Sequence, residues 1–144
     1  MAANQNPIYS RVPRVQWANS VILNVNATKF GNGIVNTVFS AGNEGSWIDR
    51  IRITPIGTNV VTVMRIWLNN GANNNNIYNN SLLTEVSLLP TTASETSAQP
   101  PTEVPLGLGV NSAYQIFVTL GTAVANGFHV IGIGGDYYKT KKEE

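Results

Sequence analysis

Short stretches of this chain alternate apolar and polar side chains with a period of two. In Arg50-Ile51-Arg52-Ile53 the isoleucines share one face and the arginines the other. Between Tyr114 and Leu120, the residues Tyr114, Ile116, Val118 and Leu120 form a continuous apolar face. Side chains two apart point the same way along a strand, so each of these faces predicts a strand covering a core. Runs rich in strand formers occupy residues 15–25, 33–39, 47–54, 60–68, 82–89, 103–108, 113–120 and 127–133, and Gly, Pro and Asn punctuate them. Along residues 60–68, Val61, Val63, Arg65 and Trp67 alternate with Met64, Ile66 and Leu68. Both faces of that run are largely apolar, which predicts a central strand or one at a subunit interface. No stretch sustains a 3.6-residue period over the length a helix needs. About eight strands at this spacing imply a sandwich or a barrel. With its long connections, the chain reads as all-β, a jelly-roll-like two-sheet β-sandwich, with an immunoglobulin-like sandwich as the second choice.

The flanks and two connections depart from this pattern. Residues 1–14 contain Pro7 and Pro13 and no periodicity, so they read as an extended N-terminal arm ahead of a domain over residues 15–138. Within the arm, Ile8, Tyr9 and Arg11 lie on a segment that could add as an edge strand to a neighbour. Residues 69–80 are almost pure asparagine and glycine around Ile77 and Tyr78, which predicts a wide, solvated loop with a mobile tip. Residues 90–101, rich in Thr, Ser and Pro, read as a crossover between sheets or a strap on a neighbour. Residues 139–144 are a charged tail holding the one cluster of basic residues.

Composition narrows the partners. Charged residues make up 12% of the 144 residues and the formal net charge is +1. Phosphate binding needs a dense basic stripe, and docking to an anionic membrane needs a basic cluster, so neither nucleic acid nor membrane is an expected partner. A neutral, amide-rich surface suits close packing against another protein or a sugar. There is no cysteine, which removes disulfides, thiol chemistry and cysteine zinc sites. The first residues lack the basic and apolar regions of a signal peptide, and synthesis in the cytoplasm is the expectation.

Candidate chemistry is sparse, and no enzyme, catalytic residue, cofactor or metal site is expected. His129 is the single histidine. It alternates with apolar neighbours and has no orienting acid nearby in sequence, so it reads as a strand-face or interface residue. Glu44, Asp49, Glu85, Glu95 and Glu103 could in principle supply a carboxylate pair, but nothing in their spacing joins any two, and Asp49 is expected to pair with a basic neighbour. The glycines at 132, 134 and 135 precede no helix, so they read as tight strand packing rather than a phosphate loop. Trp17, Trp47 and Trp67 are expected in the core, since a sugar platform needs two or more tryptophans on one exposed face.

Three blocks carry a resemblance: Gly45-Ser46-Trp47-Ile48-Asp49-Arg50-Ile51-Arg52-Ile53, the run from Gly57 to Gly71, and the run from Gly127 to Tyr137. With Leu83-Thr84-Glu85-Val86-Ser87-Leu88 between them, they are similar in texture to small β-sandwich proteins of tailed bacteriophages, the jelly-roll capsid cement or decoration proteins. The likeness covers most of residues 15–138 and rests on no catalytic or ligand motif. It implies a virion structural protein, made in a bacterial host, that sits on the outer surface of an icosahedral capsid. It implies binding to the major capsid protein across subunit seams, and self-association, commonly as a homotrimer. On this reading Ile8, Tyr9, Arg11, Arg14, Trp17 and Tyr78 are the candidate partner or oligomer contacts. Two alternatives remain: a phage tail or fibre component with a receptor-binding role, and a non-viral carbohydrate-binding module.

Overall fold

The structure, a computed structural model, describes residues 12–26 and 28–137. Its strands are β1 (Val12–Trp17), β2 (Asn36–Ser40), β3 (Ser46–Pro55), β4 (Thr62–Asn69), β5 (Asn80–Leu88), β6 (Thr102–Val110), β7 (Gln115–Leu120) and β8 (Phe128–Asp136). They form two four-stranded sheets, ordered β1-β8-β3-β6 and β2-β7-β4-β5, with every pairing antiparallel. This is the expected two-sheet β-sandwich. The pairs nest: β1 with β8, β2 with β7, β3 with β6, and β4 with β5. Every link crosses from one sheet to the other except the one between β4 and β5.

The core follows from alternation. Ile51 and Ile53 of the first sheet are fully buried and meet Phe39, Met64, Ile66, Ile116, Val118 and Leu120 of the second. Burying side chains of this size contributes roughly 1.5–3 kcal/mol each. β4 lies between β7 and β5, the central position that its two apolar faces predict. The sheets approach closely where β8 carries glycine: a Cβ on Gly132 would sit 3.2 Å from the Phe39 Cβ. The glycine run near the C-terminus is therefore sheet packing.

Two boundaries differ from the sequence reading. β1 begins at Val12, so 12–14 belong to the sheet rather than to the arm. Pro13 is tolerated because β1 is an edge strand, where a missing amide donor breaks no central ladder. Residues 18–25, expected to continue the first strand, instead cross the open end of the sandwich. They join it through isolated bridges of Ile22 to Phe128 and Val25 to Leu120, the Val124 N–H bond to the Leu23 carbonyl, and the packing of Ala18 and Leu23 on the core. Ile22 is fully buried there and acts as a plug.

Asparagine holds the irregular regions. Asn59 is 2% exposed; its Oδ1 accepts from the backbone N–H of Asn126 (3.0 Å) and Gly127 (2.8 Å), and its Nδ2 donates to the Gly127 carbonyl (3.0 Å). Its backbone pairs with Thr91, which anchors the start of the 90–101 crossover.

Candidate functional site

The carboxylates are mostly consumed in ion pairs. Asp49 takes Arg50 at 2.6 Å, Glu85 takes Arg65 at 2.9 Å, and Glu103 takes both Arg50 (2.9 Å) and Arg52 (2.6 Å). Glu44 and Glu95 are exposed in connecting segments. Among the described residues, no three His, Asp or Glu side chains gather in a way that could hold a metal ion. His129 is exposed on β8, opposite Thr54 of β3.

The outer face of the first sheet is chemically unusual. An antiparallel sheet with one solvated face normally turns apolar residues inward and polar ones outward. β1 does the reverse. Arg14 and Gln16 are half-buried and reach across to the second sheet, where Arg14 Nη1 donates to the Ser40 carbonyl at 3.2 Å. Gln16 Nε2 donates to the same carbonyl at 3.1 Å, and its Oε1 accepts from the Ser40 N–H at 2.9 Å. Arg14 also pairs with Asp136 at 2.7 Å, and Asp136 accepts a 2.6 Å hydrogen bond from Ser46 Oγ. Pro13, Val15 and Trp17 point outward, with Val15 54% and Trp17 61% exposed.

The neighbouring strand extends this apolar surface. Val15 lies opposite Ile133 and Trp17 opposite Ile131, and both isoleucines are half-exposed. Beyond them, β3 contributes Arg50 and Arg52 to the same face and β6 contributes Pro105 and Glu103. Trp47, which pairs with Gly135 and Gly109, is also exposed toward this side. The face is thus apolar where Val15 and Trp17 meet Ile133 and Ile131, with His129 exposed at one end of β8, and it carries the ion pairs together with Trp47 and Pro105 over β3 and β6.

The predicted contact residues do not form one site. Trp17 lies on this face. Arg14 points the other way and is engaged with Asp136 and Ser40. Tyr78 is 88% exposed on a short 3-10 turn (Ile77–Asn79) between β4 and β5, on the other sheet. Ile8, Tyr9 and Arg11 lie outside the described residues. Trp67 is buried, though on the outer face of its sheet rather than between the sheets, and Trp17 and Trp47 are exposed. Val15, Ile131 and Ile133 escape the sequence reading. Their signal is the alternation of Pro13, Val15 and Trp17 with Arg14 and Gln16, which a domain boundary at residue 14 cuts in two.

The outer face of the second sheet also carries aromatics, but the chain covers them. Trp67 and Phe117 stack with ring centroids 6.3 Å apart, and Trp67 Nε1 donates to Thr119 Oγ1 at 3.1 Å. Gly31, at φ +67°, lies directly on them: a Cβ there would be 2.7 Å from Trp67 Cδ2. Asparagine amides fasten this cover. Asn74 Nδ2 donates to the Gly33 carbonyl at 2.9 Å, and Asn80 Nδ2 donates to the carbonyls of Phe30 (3.2 Å) and Asn74 (2.8 Å). Within the 69–80 loop, Asn69, Asn70, Asn73 and Asn76 each accept from a backbone N–H two residues on. The asparagine loop is therefore a self-bonded clasp rather than the mobile tip its composition predicts. Asparagine mimics a backbone turn with its own side chain, so a run of it can fold on itself.

A cleft of about 390 Å³ opens under the 90–101 crossover, with Ile53, Leu88 and Phe128 at its floor and Thr91, Thr92 and Gln99 at its rim. Among the described residues, no charged side chain lines it. No protein-family model, curated protein or solved structure matches this chain.

Proposed function

We propose that this protein is a virion structural component that binds the outer surface of an icosahedral phage capsid and stabilises contacts between major capsid protein subunits. The observation that carries the reading is the reversed strand β1, which turns Val15 and Trp17 to solvent beside Ile131 and Ile133. Contiguous exposed apolar surface marks an interaction site. The ion pairs beside it cancel, which suits a protein partner better than a polyanion. The nested pairing of the strands supports a jelly roll, which is built from two Greek keys, in keeping with the resemblance. Weak contacts repeated over a lattice would supply avidity without one strong site.

Quantitative mass spectrometry of purified particles, against the most abundant shell protein, tests the reading. A copy number of the same order as the shell subunit is expected. A few copies per particle would favour a tail or fibre component, and absence from particles would overturn a virion role. Deletion of residues 1–11 tests the arm: loss of particle binding by a domain that still folds is expected. Removing residues 12–14 as well would cut into β1 and confuse the result.

A specific observation favours a second reading. Trp17 and Trp47 both lie exposed on one sheet face, as a carbohydrate platform requires. Titration with soluble neutral oligosaccharides, followed by tryptophan fluorescence, distinguishes it: saturable change in the wild type, lost in Trp17→Ala, would support sugar binding.

A further inference from the structure

We infer that Asn32 is a spontaneous modification site, where ring closure onto the Gly33 nitrogen converts the asparagine to aspartate or isoaspartate and loosens the cover over Trp67. The inference does not depend on the virion reading. In this reaction the main-chain nitrogen that follows an asparagine loses its proton and attacks the side-chain Cγ. The new N–Cγ bond closes a succinimide ring, the Cγ–Nδ2 bond breaks, and ammonia leaves with the proton. Water then opens the ring at either carbonyl. One opening leaves aspartate; the other leaves isoaspartate, whose main chain runs through the former side-chain methylene. Glycine in the following position favours the attack, because it lacks a Cβ and turns freely.

The chain has three Asn-Gly pairs: Asn32-Gly33, Asn70-Gly71 and Asn126-Gly127. The fold restrains two of them. The Gly71 N–H donates to Asn69 Oδ1 at 2.8 Å, while the Asn70 amide accepts from the Ala72 N–H (3.1 Å) and donates to Asn79 Oδ1 (3.2 Å). The Gly127 N–H donates to Asn59 Oδ1 at 2.8 Å, and Asn126 Nδ2 donates to the Thr58 carbonyl at 2.6 Å. In both pairs the attacking nitrogen and the amide under attack must first give up partners. Asn32 has none to release. Among the described residues its Oδ1 is buried without a partner, and neither its Nδ2 nor the Gly33 N–H donates a hydrogen bond. Space ranks the sites the same way, since the backbone must rotate for the nitrogen to reach Cγ. A Cβ on Gly71 would lie 2.9 Å from the Ala113 carbonyl oxygen, and one on Gly127 would lie 2.6 Å from Val21 Cγ1. At Gly33 the nearest atom would be Asn26 Nδ2, at 3.8 Å.

Asn32 also sits between the fastenings of the cover. Gly31 before it lies against Trp67 and Phe117, and the Gly33 carbonyl after it accepts from Asn74 Nδ2 at 2.9 Å. The carbonyl of Asn32 itself accepts from Asn26 Nδ2 (3.1 Å) and Thr28 Oγ1 (3.2 Å). Isoaspartate inserts one more main-chain carbon among these points, so they cannot all be kept. Either product also puts a carboxylate where the buried amide oxygen stood, and an unpaired buried charge is driven out to water. Reaction at one half-buried amide thereby uncovers the stacked Trp67 and Phe117.

Tandem mass spectrometry of the full chain, after storage in mildly alkaline buffer, tests the inference, with each site assigned from peptide fragments. The net worth of a hydrogen bond corresponds to roughly two- to tenfold in an equilibrium, so a gain of one mass unit should accumulate at Asn32 at least about tenfold faster than at Asn70 or Asn126. In guanidinium chloride the three rates should converge, since only the fold separates them. Equal rates in the folded chain, or the same ranking in the unfolded chain, would overturn the site. In a Trp17→Phe, Trp47→Phe background, Trp67 emission should shift to the red in step with conversion. Asn32→Gln, whose longer side chain closes a ring poorly, should prevent both changes. Conversion at Asn32 without the red shift would overturn the opening of the cover. An equal shift in stored Asn32→Gln, with its fold retained by circular dichroism, would overturn it as well.

Discussion

Trp67 and Trp17 both stand on the outside of a sheet, pointing away from the core, yet Trp67 is 3% exposed and Trp17 is 61% exposed. Over Trp67 the chain lays its own Gly31 in van der Waals contact, and the asparagine clasp holds the segment down through the carbonyls of Phe30 and Gly33. Over Trp17 no described residue is laid in that way. The strand that carries it is held from beneath by polar bonds to Ser40 and Asp136. An outward aromatic can thus be satisfied by the chain itself, where it strengthens the fold, or left uncovered, where it adds little to the monomer and much to a contact. The covered and the uncovered aromatic stand on opposite sheets of the same sandwich.

Four substitutions sharpen that contrast. Phe117→Ala removes the ring stacked on Trp67 and should destabilise the domain most, by about 3–5 kcal/mol in urea unfolding, the usual cost of truncating a buried phenylalanine. Gly31→Ala puts a methyl against the indole at a left-handed φ and should cost about 2 kcal/mol. Red-shifted Trp67 emission, read in a Trp17→Phe, Trp47→Phe background, would show the cover lifting. Asp136→Asn keeps the shape that accepts from Ser46 but removes the charge facing Arg14, and should cost about 1 kcal/mol. Amide hydrogen exchange should then quicken in β1 sooner than in β4; equal acceleration in both would mean that β1 is no separate unit. Trp17→Ala should change stability by less than about 0.5 kcal/mol, as exposed substitutions do. A loss as large as that of Phe117→Ala would erase the contrast between the two sheets.

Much of the architecture is legible in the sequence alone. Period-two alternation locates Ile51, Ile53, Ile116, Val118 and Leu120 on buried faces, because the pleat sends alternate side chains to opposite sides. The doubly apolar run around Trp67 marks a central strand for the same reason. The first strand is harder to read. Its outward residues are the apolar ones, and the sequence pattern alone does not say which of two alternating faces is turned to the core. The asparagine loop misleads for a different reason: composition reports that a segment is polar, but not whether its amides bond to water or to each other.

The sequence by itself determined that the chain would be all-β, where every strand after the first would fall, and that its charge would be low and balanced. These are local properties, set by side-chain period, turn residues and simple counting. Only the tertiary structure decided that Arg14 faces Asp136 while Trp17 faces solvent, that Gly31 covers Trp67, and that Val15 and Trp17 join Ile131 and Ile133 in one surface. Each of those facts depends on which distant strand lies alongside, and β1 meets β8 only after the whole chain between them has crossed from sheet to sheet.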